Sequence, residues 1–353
     1  MIPYILLLAG ISTAWVITSQ RGQSPSGSYG PFLVIATLMT SAFIGLRSYG
    51  VGADTLAYFG EYQSGMVRES EPGYSMVAQW SARAGLDFRS FLLIAALAAT
   101  GAAALMFGSH SKSPPLGMIM FILMGPFALA MTGMRQSIAI AIATVAFLTL
   151  LRGKRIAFAA LILVAYQFHN TAIMLLPFAL FYSKGQMTRT RAAVLLAVAG
   201  LIGTQWSLGT RALERMGLVK YEDYLESASS VNPLVILVAF AIPVACIALW
   251  PEVGGRSQNA RGSARRVPSF ELMYVVSIAN FASVVAAIEV PIATRYTHYF
   301  STIVIVMLTN LAMEQRVGPS RTIATAACVI LPLIQFAIST PSSSLGIYPY
   351  TIG

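Results

Sequence analysis

Residues 47–74 read RSYGVGADTLAYFGEYQSGMVRESEPGY, and this stretch decides how the rest of the chain must be arranged. It carries Arg47, Arg68, Asp54, Glu61, Glu69 and Glu71, with four tyrosines at Tyr49, Tyr58, Tyr62 and Tyr74. It is too polar to cross a bilayer, yet it lies between apolar runs at 31–46 and 89–107. Charges are costly in hydrocarbon, so such a segment must sit outside the apolar layer. Its inner part, 55–66, reads as a short helix with Asp54 as N-cap, and Pro72 opens a second helix that ends at Gly85. That second helix shows Met76, Val77, Trp80 and Ala84 on one face and Ser75, Gln79 and Arg83 on another. The whole stretch is expected to form one wall of a catalytic cleft at the outer membrane face.

Composition sets the class. The 353 residues are 56% hydrophobic and only 10% charged, with a mean hydropathy of +0.71. A soluble domain carries about 25% charged residues, so an all-α polytopic integral membrane protein is expected. The 23 Lys+Arg against 13 Asp+Glu suit basic loops held on the cytoplasmic side and do not require a nucleic-acid partner. Cys246 and Cys328 lie inside apolar runs and read as small core residues. The N-terminal apolar run lacks a basic leader and reads as a retained helix.

Apolar runs fall at 2–18, 31–46, 89–107, 116–131, 136–151, 156–182, 191–207, 232–250, 270–289, 295–313 and 321–338. A span needs roughly 20 residues, so several of these must tilt or thin the bilayer. Basic loops at Arg152–Arg155, Lys184–Arg191 and Arg256–Arg266 belong inside. They agree only if 156–182 is a hairpin of two short helices with Phe168-His169-Asn170 at its outer tip. That gives about 12 membrane segments in one domain, 1–353, with both termini outside. Inside loops then hold 14 of the Lys+Arg and three acids, against nine and ten outside. Outer-face elements are expected at 47–88 and 208–230, the latter an interfacial amphipathic helix or lid.

With this topology, chain-distant polar residues meet at one level. Arg47, Asp54, Glu71, Arg135, Gln136, His169, Arg295 and Tyr299 all fall on the outer face. Arg47, Arg135 and Arg295 suit a diphosphate, because guanidinium offers a permanent charge and a planar fork of donors. Tyr58, Tyr74, Tyr299 and Trp80 are suited to stack on sugar rings. His169, Asp54 or Glu71 can take a proton from a hydroxyl. Plainer readings stand beside these. Arg135 and Arg295 serve equally as interfacial anchors, Asp54 as a helix cap, Glu71 as a first-turn acid and His169 as a tip residue. His110 and His298 have no nearby acid and read as bystanders, and Met118–Met134 reads as core.

These motifs resemble the EpsG family, which groups with the Wzy-type bacterial polysaccharide polymerases. Arg47 with Gly52-Ala53-Asp54-Thr55 and Tyr58, then Glu71-Pro72-Gly73-Tyr74, is similar to its opening pattern. Gly133-Met134-Arg135-Gln136-Ser137 resembles a second motif, Phe168-His169-Asn170-Thr171-Ala172 a third, and Arg295-Tyr296-x-x-Tyr299-Phe300 a fourth. The resemblance implies a GT-C-like glycosyltransferase of the bacterial inner membrane with its site facing the periplasm. It implies that undecaprenyl-diphosphate-linked oligosaccharides are joined without a nucleotide sugar, a cofactor or a metal. Flippase and chain-length regulator proteins would be its partners in the bilayer. Arg135 with Arg47 or Arg295 would then hold the donor diphosphate, Gln136, Tyr58, Tyr74 and Tyr299 would line the substrate, and His169, Asp54 or Glu71 would be the base. Two rivals use other chemistry or another acceptor. A transporter would place its polar residues near the midplane with repeat symmetry. A glycan ligase would use the same donor. A membrane O-acyltransferase fits less well, because His169 is read as facing outward.

Overall fold

The computed structural model describes residues 1–21, 29–181, 188–205, 233–248, 268–290, 293–315, 317–341 and 345–353. The expected element at 208–230, the basic loop at Arg256–Arg266 and Lys184 lie outside the described residues.

Among the described residues, each apolar run of the sequence forms helices over most of its length. In chain order these are α1 (Ile2–Arg21), α2 (Gly30–Gly45), α3 (Thr55–Ser64), α4 (Pro72–Arg83), α5 (Phe88–His110), α6 (Pro114–Leu123), α7 (Pro126–Thr132), α8 (Met134–Leu151) and α9 (Arg155–Phe168). A 3-10 helix at Asn170–Leu175 and α10 (Phe178–Phe181) follow. The chain continues with α11 (Arg189–Thr204), α12 (Pro233–Ala248), α13 (Pro268–Glu289), α14 (Thr294–Glu314) and α15 (Pro319–Ser339). The protein is an all-helical polytopic membrane protein. Among the described residues, five helices are long and apolar enough to cross a bilayer, or six if α6 and α7 are one bent span, and shorter apolar helices accompany them. The expected total of about 12 segments, which included the short arms of the 156–182 hairpin, compares with these five or six long spans plus the shorter apolar helices Gly30–Gly45, Arg155–Phe168, Asn170–Leu180 and Val235–Ala248.

The bend between α6 and α7 is 50°. Gly125 takes the left-handed conformation, φ +103°, and Pro126, which has no N–H to donate, opens α7. A glycine–proline pair stops one helix and starts another, where hydropathy alone reads a single run. Gly133 then separates α7 from α8.

The 156–182 run does double back, but its two arms differ. The Phe178 ring lies 5.7 Å from Phe147, which lies 5.4 Å from Phe158 near the start of α9. Residue 178 has thus returned to the depth of residue 158. Among the described residues the second arm is a 3-10 turn plus four helical residues, where a second short helix was expected. Pro177 between them cannot donate a backbone hydrogen bond.

The 47–88 element forms as the sequence predicts, with α3 closed by Gly65 in the left-handed region and α4 opened by Pro72. Met76 and Trp80 stay 55% and 69% exposed, while Gly73, Tyr74 and Ser75 are buried. The cause is docking through the first turn. A Cβ on Gly73 would come within 2.7 Å of Gln167 Cβ and 3.1 Å of its carbonyl, so only glycine lets α4 reach α9 this closely.

The C-terminal residues return to the same end. Ser48 N donates to Thr351 O at 2.8 Å, Gly52 N to Gly346 O at 2.6 Å and Gly353 N to Leu46 O at 3.2 Å. The Tyr350 ring stacks on Phe43 at 4.1 Å and its hydroxyl donates to Phe43 O. At the opposite end, Lys112 pairs with Glu314, and Asn310 Nδ2 donates to the His110 carbonyl. These contacts join the ends of α5 and α14, so the bundle has two distinct ends.

Gly52 lies where three of these parts meet. Its φ is +95°, and a Cβ there would overlap the Met131 carbonyl and come within 2.6 Å of the Thr55 hydroxyl. Gly52→Ala is expected to cost on the order of 2 kcal/mol. The check is the melting temperature of the detergent-solubilised variant. An unchanged value would show that the loop yields freely.

Candidate functional site

The site is built at the end of the bundle that carries α3 and α4. Three sequence-distant motifs meet on one carboxylate. Glu71, immediately before Pro72 of α4, is buried, and its Oε2 accepts from Arg135 Nη1 in the first turn of α8. Its Oε1 lies 2.6 Å from His169 Nδ1, at the break after α9. The side chains of Glu71, His169 and Arg135 are 6%, 12% and 19% exposed. His169 holds an extended conformation, φ −158° and ψ 119°, which ends α9 and turns its ring away from the helix axis. Neither Glu71 nor Asp54 caps its helix through its side chain. The carboxylate of Glu71 is committed to Arg135 and His169 instead.

Two tyrosines fix the arginine. The Arg135 guanidinium lies 5.2 Å from the Tyr58 ring centroid and 5.9 Å from that of Tyr74. Both rings are only 3% exposed. They therefore hold the guanidinium by cation–π contact and are not free to stack on a sugar, as the sequence suggested. Burial pushes both hydroxyls above the usual tyrosine range; Arg135 opposes this at each without reversing it. Tyr74 stays a neutral donor.

The fourth motif closes the neighbouring side. Gln136 Nε2 donates to the Arg295 carbonyl at 2.7 Å, tying α8 to the first turn of α14. The Tyr299 hydroxyl lies 3.1 Å from Thr171 Oγ1, two residues after His169. Tyr299 is 1% exposed, so it braces the hairpin tip rather than presenting a stacking surface. The Arg295 side chain is exposed. Thr171 was not singled out as a site residue, because its partner is 128 positions away and leaves no local signal.

Two expected members lie elsewhere. Arg47 is 1% exposed, and its guanidinium donates to Val51 O, Ile44 O and the Thr55 hydroxyl. It ties the end of α2 to the start of α3 and is closed to a diphosphate. Burial lowers its pKa to about 10, with the neighbouring tyrosines opposing this. Asp54 is exposed, and its charge reaches the Tyr58 hydroxyl. His110 belongs to the far end of the bundle. His298 borders a cavity of about 20 Å³ with Ser137, Thr144 and Thr302, room for one water.

Three buried polar atoms of the cluster have no partner among the described residues: His169 Nε2, Arg135 Nε and Tyr74 Oη. A hydrogen on Nδ1 satisfies Glu71 and leaves Nε2 as the acceptor. The cluster thus joins a base-type nitrogen, a fixed cation and a neutral hydroxyl donor.

Burial raises the Glu71 pKa, but the hydrogen bond from His169 and the charges of Arg135 and His169 outweigh it, and the carboxyl titrates below its ordinary 4.5. The ionised carboxylate therefore contributes stability in full above pH 4.5. That contribution is lost as the pH falls through the lower folded value. Melting temperature is expected to hold between neutral pH and that limit and to drop below it. Glu71→Gln should flatten the drop attributable to this group, and an unaltered acid limb would count against the pairing.

No curated protein and no solved structure matches the chain. The description of one family does match, over residues 31–352, and so covers all four motifs and the tail that closes on the first of them. Most of the sequence lies within that match, and the chain belongs to the EpsG family, which is linked to exopolysaccharide biosynthesis.

Proposed function

We propose that the chain is a polysaccharide polymerase, a glycosyltransferase that joins lipid-linked oligosaccharide repeat units at the membrane surface. The donor is the growing glycan on undecaprenyl diphosphate, and the acceptor is a hydroxyl on the non-reducing sugar of the next lipid-linked unit. The observation that carries this reading is the cluster itself. His169 Nε2, Arg135 Nε and Tyr74 Oη are left without partners among the described residues, around one carboxylate at one end of a membrane bundle.

In this mechanism His169 Nε2 takes the acceptor proton while Glu71 holds Nδ1–H and steadies the imidazolium that forms. The acceptor oxygen bonds to the anomeric carbon, the bond from that carbon to the phosphate oxygen breaks, and the lipid diphosphate leaves. Arg135, with the exposed Arg295 nearby, offsets the charge on the departing diphosphate. Tyr74 donates to a donor-phosphate or sugar oxygen. The energy comes from the diphosphate linkage, so no nucleotide sugar is consumed. Asp54 is left as a second proton acceptor near the rim.

The same reading puts the protein in the bacterial inner membrane with the cluster facing the periplasm. Lys112, Arg152, Lys154, Arg155 and Arg321 lie at the end opposite the cluster, as cytoplasmic retention of basic residues requires. The expected partners are the flippase that delivers lipid-linked units and a chain-length regulator.

His169→Ala is expected to insert normally and to leave cells with single repeat units in place of long glycan. Gel analysis of the glycans, beside a membrane-fraction blot, checks this. Long polymer made by the variant would overturn the assignment of His169. Polymer that accumulates on its lipid carrier would instead mark a ligase.

A further inference from the structure

A second cavity, of about 300 Å³, lies between α3 and α4 and belongs to none of the four motifs' contacts. That volume is at the lower end of the range for small-molecule sites, about 300–1,000 Å³. Its wall combines Glu61, Tyr62, Met66, Gln79 and Arg83. Glu61 Oε1 is held by Arg68, while its buried Oε2 has no partner among the described residues. Tyr62 is fixed by a 2.8 Å hydrogen bond to the Leu86 carbonyl and by stacking on Phe91 at 5.3 Å. Gln79 Nε2 reaches the Gly65 carbonyl only at 3.4 Å, a weak bond that a better acceptor can replace. Arg83 forms no ion pair among the described residues and is exposed at the mouth. A carboxylate, an amide, a guanidinium and a fixed aromatic edge around one cavity are suited to the hydroxyls and apolar faces of a sugar.

Position strengthens this. Helix α4 starts beside Glu71 and ends at Arg83, so Gln79 and Arg83 lie about 12–18 Å along the helix from the cluster. A short oligosaccharide whose terminal hydroxyl reached His169 would have its later sugars over this cavity. We propose that the α3–α4 cavity is a saccharide subsite that takes a sugar of the lipid-linked unit distal to the reacting hydroxyl. The proposal rests on the reading of the chain as a polymerase, and it adds that selection among glycans resides in Gln79, Arg83 and Glu61 rather than in the reacting cluster.

The test uses the full chain purified in detergent and, as probe, the free repeat-unit oligosaccharide released from its lipid diphosphate. Calorimetry is expected to show binding to wild type that falls tenfold or more in Arg83→Ala and in Gln79→Ala. Ala82→Trp, which fills the cavity without removing a charge, should do the same. His169→Ala should bind within threefold of wild type. With lipid-linked substrate, Arg83→Ala should raise KM for the acceptor while kcat stays near wild type. Failure of the oligosaccharide to bind wild type, or binding unmoved by all three cavity variants, overturns the subsite. Polymer formation by His169→Ala together with lost sugar binding in Arg83→Ala would sink the reaction assignment and leave the subsite standing.

Discussion

Glu71→Ala is expected to be the most damaging single change to this protein, in stability and activity together. The carboxylate bonds Arg135 and His169 at once and is almost fully buried. Removing it leaves the Arg135 cation buried without its counter-charge, a change that costs about 3–5 kcal/mol in comparable settings. It also frees His169 to adopt either tautomer. Where a carboxylate orients a catalytic histidine, losing that role alone lowers turnover about 10⁴-fold. Glu71→Gln separates the two effects. The amide keeps the volume and part of the hydrogen bonding, so the fold should survive with a smaller loss, while chain growth stays close to zero. Melting temperature and glycan length, measured on both variants, check the pair. Normal polymer from Glu71→Gln would remove the carboxylate from the mechanism.

The second large effect belongs to Arg135. Arg135→Ala should stop chain growth, since one charge-stabilising donor is commonly worth about 10²–10³ in rate. Arg135→Lys tests the geometry. Lysine keeps the charge but cannot bond Glu71 while lying flat over Tyr58 and Tyr74 and offering another N–H to a phosphate. It is expected to recover stability and little activity. A lysine variant with wild-type turnover would mean that Arg135 acts as a point charge, and the tyrosine cradle would have no chemical purpose. Assays of polymer formation in membranes, normalised to protein content, distinguish these outcomes.

Much of the fold was legible because the bilayer imposes it. Where described, each apolar run is mostly helix, since backbone groups in hydrocarbon must be satisfied within the segment. The hairpin at 156–182 followed from charge, because the basic residues flanking it agree only if the chain returns. The bend at Gly125 was missed by a count of apolar residues, although the Gly125-Pro126 pair announces it. The closing of residues 345–353 on residues 46–53 is carried by backbone bonds between segments some three hundred positions apart. Nothing local encodes that.

The site was legible in membership more than in roles. Topology brought Glu71, Arg135 and His169 to one level, and their direct contact depends on Gly73, whose missing side chain lets α4 press against Gln167. Arg47 shows the limit of reasoning from residue type. An arginine beside a polar element looks like a phosphate ligand, yet its acceptors are two nearby carbonyls and the Thr55 hydroxyl. Tyr58 and Tyr74 were read as sugar platforms from their chemistry. Their burial against Arg135 gives them the guanidinium instead.

Reconstitution tests the central claim most directly. Purified protein in liposomes would receive the undecaprenyl-diphosphate-linked repeat unit as sole substrate, and glycan length and released lipid diphosphate would be followed together. Wild type should make longer glycan with one lipid diphosphate freed for each bond formed, and His169→Ala should make none. Equal rates for the two proteins, or no reaction by wild type until a nucleotide sugar is added, would contradict the account.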